Sequence, residues 1–211
     1  MLTVKSFEFS PVQENTYVLF NEEKLCCIID PGCYFTNEKE ELKDFIDRYG
    51  LRTNLLLNTH CHLDHVFGNK FVFETFNTIL HIHEKEKLVL DYAPLFGKNW
   101  NLPFENYNAE LAYLKEGNSV FLGKDELKVI FAPGHSPGHI CFYSETQGFV
   151  IGGDVLFRLG IGRTDLPGGN HATLLASIRR EFLTLPDETI VYPGHGEQTT
   201  VGYERLNNPF L

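Results

Sequence analysis

Residues 58–65, NTHCHLDH, carry three imidazoles and a carboxylate within six consecutive positions, directly after the apolar run LLL. Nothing else in the chain limits its fold so tightly. Cation-binding groups at this density make half of a site, and the fold has to bring the other half alongside. Three later turns can supply it, each at the end of an apolar run: PGHSPGH (133–139), GGDVLF (152–157) and YPGHGE (192–197). Ligand-type residues at the ends of buried strands collect along one edge of packed sheets, where segments distant in the chain meet. In an extended segment His60 and His62 project from one face and Cys61 from the other, because side chains alternate along a strand.

The remaining pattern supplies such sheets. TVKSFEF, NTYVLF and KLCCIIDPG are short β-branched or aromatic runs separated by turn residues, and read as strands. TNEKEELKDFIDRYG begins with Thr and Asn, has early glutamates, spaces Leu42, Phe45 and Ile46 along one face and stops at Gly, which predicts an amphipathic helix. RTNLLLNTH reads as a buried strand that delivers the histidine cluster, FGNKFVFETFN as a helix and TILHIH as a strand. Residues 84–115 are charged, aromatic and irregular, and read as short helices and a loop forming a lid or insert near the site. Strands return in DELKVIFAPGH, HICFYSE and GFVIGGDVLF, then a helix in NHATLLASIRREFLTL and a last strand in ETIVYPGHG. This order predicts an α+β chain, a single domain over 1–211, with two sheets packed face to face and helices on the outer faces.

Composition narrows the function classes. With 43% apolar residues in 211, the chain can bury a full core. No stretch approaches the ~20 apolar residues that span a bilayer. The N-terminus alternates like a strand and lacks the basic and apolar regions of a signal peptide. Five cysteines, odd in number and without a CxxC pair, predict reduced thiols and a cytoplasmic location. A formal net charge of −10 with no basic cluster argues against a nucleic-acid partner, which needs clustered cations to neutralise phosphates. The expected partner is a small molecule, and the chain is expected to be a monomer or homodimer.

Two ions can be built from the four turns. One would take His60, His62 and His135, the other Asp64, His65 and His195, with Asp154 bridging them. Imidazoles and carboxylates suit zinc, and also iron or manganese. Room left for a shared water would mark a catalytic site rather than a closed structural one.

In this order THCHLDH, GH, GD and GH resemble the metallo-beta-lactamase superfamily, whose THxHxDH motif is met residue for residue, as are its downstream His, Asp and His. The resemblance extends across essentially the whole chain. It implies an αβ/βα four-layer sandwich with a dinuclear site at one edge. The lactamases themselves usually carry Cys at the position of Asp154 and lack a His matching His65. Flavodiiron members usually have Glu at the position of His62 and an added flavodoxin domain, and nucleic-acid-processing members carry a large inserted domain.

GDVLFRLGIGRTDLPGGNHATLLASI together with VYPGHGEQTTVGYERLNNPF looks most like the glyoxalase II (hydroxyacylglutathione hydrolase) branch, in a short bacterial form without the C-terminal helical domain. That resemblance implies hydrolysis of a thioester, S-lactoylglutathione or a related hydroxyacyl thioester, by a hydroxide bridging two divalent ions. Zinc is the first expectation, with iron and manganese as alternatives. Asp64 would orient the nucleophile as well as bind metal, and Arg163 would hold a substrate carboxylate. Two departures stand out: 16 residues follow His195, and Asp165 and Glu197 occupy positions where the longer enzymes place glutathione-contacting tyrosines. The GRTD segment is also similar to persulfide dioxygenases, which would imply one iron held by His60 or a near neighbour, His135 and Asp154. A third reading is a metal-binding scaffold without chemistry, against which the open coordination of the ligand set argues.

Other residues divide into supports and structure. His81 and His83 form a second HxH without a carboxylate partner and read as structural, as does His171 at a helix start. His139 reads as a support that donates to backbone or to a neighbouring ligand. Asp30 in IIDPG is either a support or ordinary turn chemistry. Phe96, Trp100, Phe104 and Tyr107 either line a substrate pocket or form the small core of the 84–115 segment. Phe142 and Tyr143 read as sheet core.

Overall fold

The computed structural model describes residues 1–211. In the first sheet Thr3–Phe9 (β1), Glu14–Phe20 (β2), Leu25–Ile29 (β3), Arg52–Leu57 (β4), Leu80–His83 (β5) and Leu111–Leu114 (β6) lie side by side in chain order. β1 to β3 pair antiparallel, and β3 to β6 pair parallel. The second half begins with Ser119–Leu122 (β7), Asp125–Phe131 (β8), Ile140–Ser144 (β9) and Phe149–Gly153 (β10). A ribbon of Leu156–Phe157 (β11) and Gly160–Ile161 (β12) follows, then Ile190–Pro193 (β13) and Thr199–Thr200 (β14). The second sheet runs β14-β13-β10-β9-β8-β7.

Alternation along the strands separates the layers. In β3, Cys27 and Ile29 face the second sheet, while Cys26 and Ile28 face helices. In β9, Ile140 and Phe142 meet the first sheet, while Cys141 and Tyr143 pack outward. Three apolar layers result: one between the sheets and one under the helices on each outer face. The outer helices are Thr36–Tyr49 (α1), Leu63–Val66 (α2), Asn69–Phe76 (α3) and Lys87–Asn99 (α4) on the first sheet, and His171–Ser177 (α5) and Val201–Asn207 (α6) on the second. This is the four-layer α+β sandwich that the motif order implies. All five cysteines are buried and unpaired. No helix is long and apolar enough to cross a membrane.

Several elements differ from the sequence reading. The helix expected over 67–77 is α3, and a further turn of helix, α2, precedes it within the ligand motif; the two are separated at Gly68, whose N–H donates to Pro31 O at 2.7 Å. A Cβ there would press on Cys33 Sγ and Pro31 O, so the chain passes too closely for a side chain. The helix expected over 170–185 becomes a wide π-type turn after Ser177. Residues 84–115 are more regular than their composition suggests: a 13-residue helix, α4, and an edge strand, β6, that completes the first sheet. β6 is four residues long and takes its strand character from pairing with β5, a tertiary effect that its own residues do not announce. α6 was not expected either; its Thr200 cap accepts from Tyr203 N at 3.3 Å.

The C-terminal ends of β4, β10 and β13 and the start of β9 come together at one edge. Ile140 N donates to Thr59 O (2.9 Å), and Gly194 N to Gly153 O (2.9 Å). The start of β2 closes the edge: Asn15 N donates to Gly194 O (2.7 Å), and the Tyr17 hydroxyl to Pro193 O (2.6 Å).

Candidate metal centre

That edge brings all seven predicted ligand residues together. His135 Nε2 lies 3.2 Å from His60 Nε2 and 2.8 Å from His62 Nδ1. Asp64 Oδ2 lies 3.1 Å from His195 Nε2 and 3.8 Å from His65 Nε2. Asp154 spans the two triads: Oδ1 is 3.5 Å from His65 Nε2, and Oδ2 is 3.4 Å from His135 Nε2 and 3.7 Å from His195 Nε2. Within each triad the ligand atoms all lie within 4.8 Å of one another.

The outer nitrogens show which inner atoms are free. His135 Nδ1 donates to Arg163 O (2.7 Å), so its Nε2 points inward as a bare lone pair, and His195 Nδ1 donates to Gln13 O (3.1 Å), which turns its Nε2 onto Asp64 Oδ2. The Thr59 hydroxyl donates to Asp30 Oδ2 (2.6 Å) and accepts from His60 Nδ1 (3.1 Å), which leaves His60 Nε2 bare as well. Buried His65 Nε2 and Asp154 Oδ1 have no hydrogen-bond partner. Converging lone pairs and orphaned buried acceptors are costly in a protein alone, and divalent cations satisfy both. The residues therefore fit a pair of metal ions.

The electrostatics agree. Burial and the surrounding imidazoles push His60 well below the usual histidine range, burial and His135 take His62 down to about 3, and burial lowers His135. These three stay neutral at physiological pH, the form that binds metal. Burial opposes ionisation of Asp154 and Asp64, yet His65 and His195 hold both carboxyls below their ordinary range. Burial likewise opposes charge on His65 and His195, and the two aspartates raise both. The two carboxylates thus favour positive charge at the second triad, held by its imidazoles in the protein alone and replaceable by a bound cation.

Supporting residues fix the turns. Asp30, nearly fully buried and with φ at 51°, accepts from Thr59 N (2.7 Å) and Asn58 Nδ2 (3.1 Å) and faces His65 Nδ1 at 3.2 Å. It is a support as well as a turn residue. His139 accepts from Asp154 N (3.1 Å), where donation was expected: its Nε2 anchors the bridging residue's backbone. Glu86, which the sequence reading missed, is fully buried and joins two ligand turns. It accepts from Cys61 N (2.8 Å), the Ser136 hydroxyl (2.6 Å) and Gly138 N (2.6 Å). Its setting in HIHEKEK gives it the look of a solvated charge, and no local signal turns it inward. His81 contacts backbone carbonyls, His83 stacks on Phe131 at 4.7 Å, and His171 opens α5; none joins a ligand group.

Gly194 is required by close approach. A methyl there would overlap Asp154 Oδ1 and come to 2.8 Å of His65 Cε1. Gly194→Ala is expected to weaken metal binding by about 10- to 100-fold, the usual effect of disturbing a ligand's support, measurable by competition with a chromophoric chelator.

Five of the seven, His62, Asp64, His135, Asp154 and His195, floor an open cleft of about 940 Å³, walled by α4 and by the 157–168 segment, with His60 and His65 buried behind them. Phe96 and Trp100 line it, whereas Phe104 and Tyr107 pack into the core under α3 and α4, so the four aromatics divide between the two expectations. Phe142 and Tyr143 are sheet core. Arg163 also lines the cleft, with its fork engaged: Nε and Nη2 donate to Asp165 Oδ1 and Oδ2 at 2.7 and 2.8 Å.

Similar proteins share this plan. The chain is 40% identical over 202 residues to "Probable metallo-hydrolase YqgX" of Bacillus subtilis, covering 95% of this chain and 93% of that one. It is 37% identical over 211 residues to "Hydroxyacylglutathione hydrolase GloC" of Haemophilus influenzae, covering 98% of each. Two solved structures superpose closely. BLEG-1 B3 metallo-beta-lactamase has a TM-score of 0.91 at 38% identity over 99% of each chain. TTHA1623 in a di-iron-bound form has a TM-score of 0.89 at 37% identity, over 98% of this chain and 100% of that one. The family model for the metallo-beta-lactamase superfamily matches residues 9–195, a span that holds both ligand triads and the aspartate between them. On that span, and on relatives alike over nearly their full length, the chain belongs to the metallo-beta-lactamase superfamily and is a metal-dependent hydrolase.

Proposed function

We propose that this chain hydrolyses a thioester, of the hydroxyacyl type represented by S-lactoylglutathione, at a dinuclear metal centre. The observation that carries the reading is Asp154, whose carboxylate faces both triads at the floor of an open cleft, Oδ1 toward His65 and Oδ2 toward His135 and His195. The likeness to the hydroxyacylglutathione hydrolase over nearly all of both chains supports the choice of substrate class.

When bound, two divalent ions supply Lewis acidity, which polarises a carbonyl and brings the pKa of coordinated water toward about 7. The chain's own residues do the rest. His60, His62 and His135 would hold one ion, and Asp64, His65 and His195 the other, with Asp154 shared. Asp64 presents a carboxylate oxygen 3.1 Å from His195 Nε2 at the cleft floor, where it can accept a hydrogen bond from the attacking water and orient it. A thiolate leaves without a strong general acid, so the ligand cluster needs no added proton donor.

The test is thiol release from S-lactoylglutathione by protein loaded in turn with zinc, iron or manganese, with a β-lactam and a persulfide as comparison substrates. Hydrolysis of the thioester supports the reading. Preferential β-lactam cleavage would favour a second one, to which the 38%-identical lactamase structure points. Oxygen uptake without thiol release would overturn both in favour of a single-iron oxidation; the complete second triad weighs against that outcome.

Two expected results follow from the same geometry. Chelation is expected to abolish turnover and to lower Tm by about 10 °C. A ligand at 1,000 times its Kd stabilises by ~4 kcal/mol, and each kcal/mol moves a chain of this size by ~2–4 °C. Arg163 can hold a substrate carboxylate once freed from Asp165. Exposed pairs of this kind are weak, so Asp165→Asn is expected to lower KM for S-lactoylglutathione by up to about five-fold in steady-state assays.

A further inference from the structure

α4 is apolar on two sides. Leu90, Ala93 and Gly97 are buried against the core. On the other side Leu88, Tyr92 and Leu95, with Trp100 just beyond the helix, are 64, 51, 53 and 50% exposed. These four are no scatter of surface hydrophobics: all line the one cleft floored by the metal-ligating cluster, with Phe157 and Leu166 also in its wall. Apolar surface left in water forgoes about 25 cal/mol per Å², and a contiguous stretch of it beside a reactive centre marks a binding surface. Glu86, immediately before α4, fastens the start of that helix to both ligand turns, so the wall is held in fixed relation to the centre.

Charge points the same way. The cleft's basic side chains are Lys85 and Arg163. Arg163 is forked onto Asp165, and Lys85 Nζ sits 5.0 Å over the Phe131 ring. Glu197, two residues beyond His195, is also acidic, and its contact with Arg158 spans 3.8 Å. A glutathione moiety brings two carboxylates to a chain of net charge −10 that has no unengaged arginine to receive them here. A cleft of about 940 Å³ also far exceeds the needs of a lactoyl group.

Resting on the thioester reading, we infer that the preferred substrate is a neutral thioester bearing a bulky apolar group, an aliphatic chain or an aromatic ring that lies along the Leu88–Tyr92–Leu95–Trp100 stripe. The site is specific for the apolar group and tolerant of the thiol carrier's polar features.

Two substrate series on metal-loaded protein test this. One lengthens the acyl group from acetyl to octanoyl on N-acetylcysteamine; the other lengthens an alkyl thiol from methyl to octyl on an acetyl group. In one series kcat/KM should rise about three- to four-fold per methylene, the fold-change equivalent to ~0.8 kcal/mol per buried CH₂, and pass that of S-lactoylglutathione. Leu88→Ala/Trp100→Ala should flatten that gradient while Tm and bound metal stay as in the parent. Flat profiles in both series with S-lactoylglutathione preferred would overturn the inference and leave the thioesterase reading standing. A metal-loaded protein that cleaves no thioester would overturn the thioesterase reading itself. Sedimentation showing a dimer that the double variant dissociates would assign the stripe to a second copy of the chain and overturn the inference.

Discussion

Asp154→Ala is expected to lower kcat/KM by about 10³-fold or more and to leave a folded protein that holds no more than one tight cation. The carboxylate faces both triads from the cleft floor, and without it His65 Nε2, His135 Nε2 and His195 Nε2 look across an empty centre. Loss of one preorganised electrostatic contact at a reacting centre costs about 10²–10³ in rate, and here the position of a cation is lost as well. Asp154→Asn keeps the shape without the charge, so it separates packing from electrostatics. The metal-free proteins add a stability signature. Burial works against ionisation of Asp154, but the charges of His65, His135 and His195 hold its carboxyl well below the ordinary carboxylate range. A depressed carboxyl stabilises the folded state above its unfolded pKa and loses that contribution as pH falls through the folded value. Metal-free parent should therefore exceed metal-free Asp154→Ala in stability at pH 6–7. The gap should narrow only on acidification below about pH 4, as read by urea unfolding across pH.

Glu86→Ala is expected to cost about 3 kcal/mol or more of stability and to weaken metal binding about 10- to 100-fold. The carboxylate accepts from three buried donors belonging to two different ligand turns, Cys61 N beside His60 and His62, and the Ser136 hydroxyl and Gly138 N beside His135. Each buried donor left without a partner costs ~1–3 kcal/mol. Burial raises the Glu86 carboxyl while these donors pull it down. Glu86→Gln should consequently recover part of the stability, because the amide keeps one acceptor oxygen, and less of the metal affinity. Thermal unfolding with and without added zinc reads both effects. A loss of stability with unchanged metal affinity would make Glu86 a core residue and no more.

How much of this was readable beforehand depends on where each signal lies. His60, His62, Asp64 and His65 are crowded into one turn, and His135, Asp154 and His195 each end an apolar run followed or preceded by glycine, so chemistry and strand ends coincide in the letters themselves. The outer-versus-inner alternation of β3 and β9 is likewise written in their residues. Glu86 is different: it lies in a charged run and becomes a support only because the 133–139 turn passes over it. α4 was obscured by carrying apolar residues on two faces, one for the core and one for the cleft, which blurs the single stripe by which an amphipathic helix is recognised. β6 and α6 are too short for periodicity to declare, and their partners decide them. The engagement of Arg163 by Asp165 was within reach of the sequence, two residues apart in RTD, but whether the two side chains turn toward each other is settled by the loop.

The proposed chemistry needs seven side chains holding two cations, and metal stoichiometry against activity tests this most directly. Metal-free protein titrated with zinc, iron or manganese should bind two ions per chain, with thioester hydrolysis rising as the second site fills, and Asp154→Ala should stop at one ion or none. Full hydrolytic activity in protein shown by elemental analysis to contain no transition metal would contradict it.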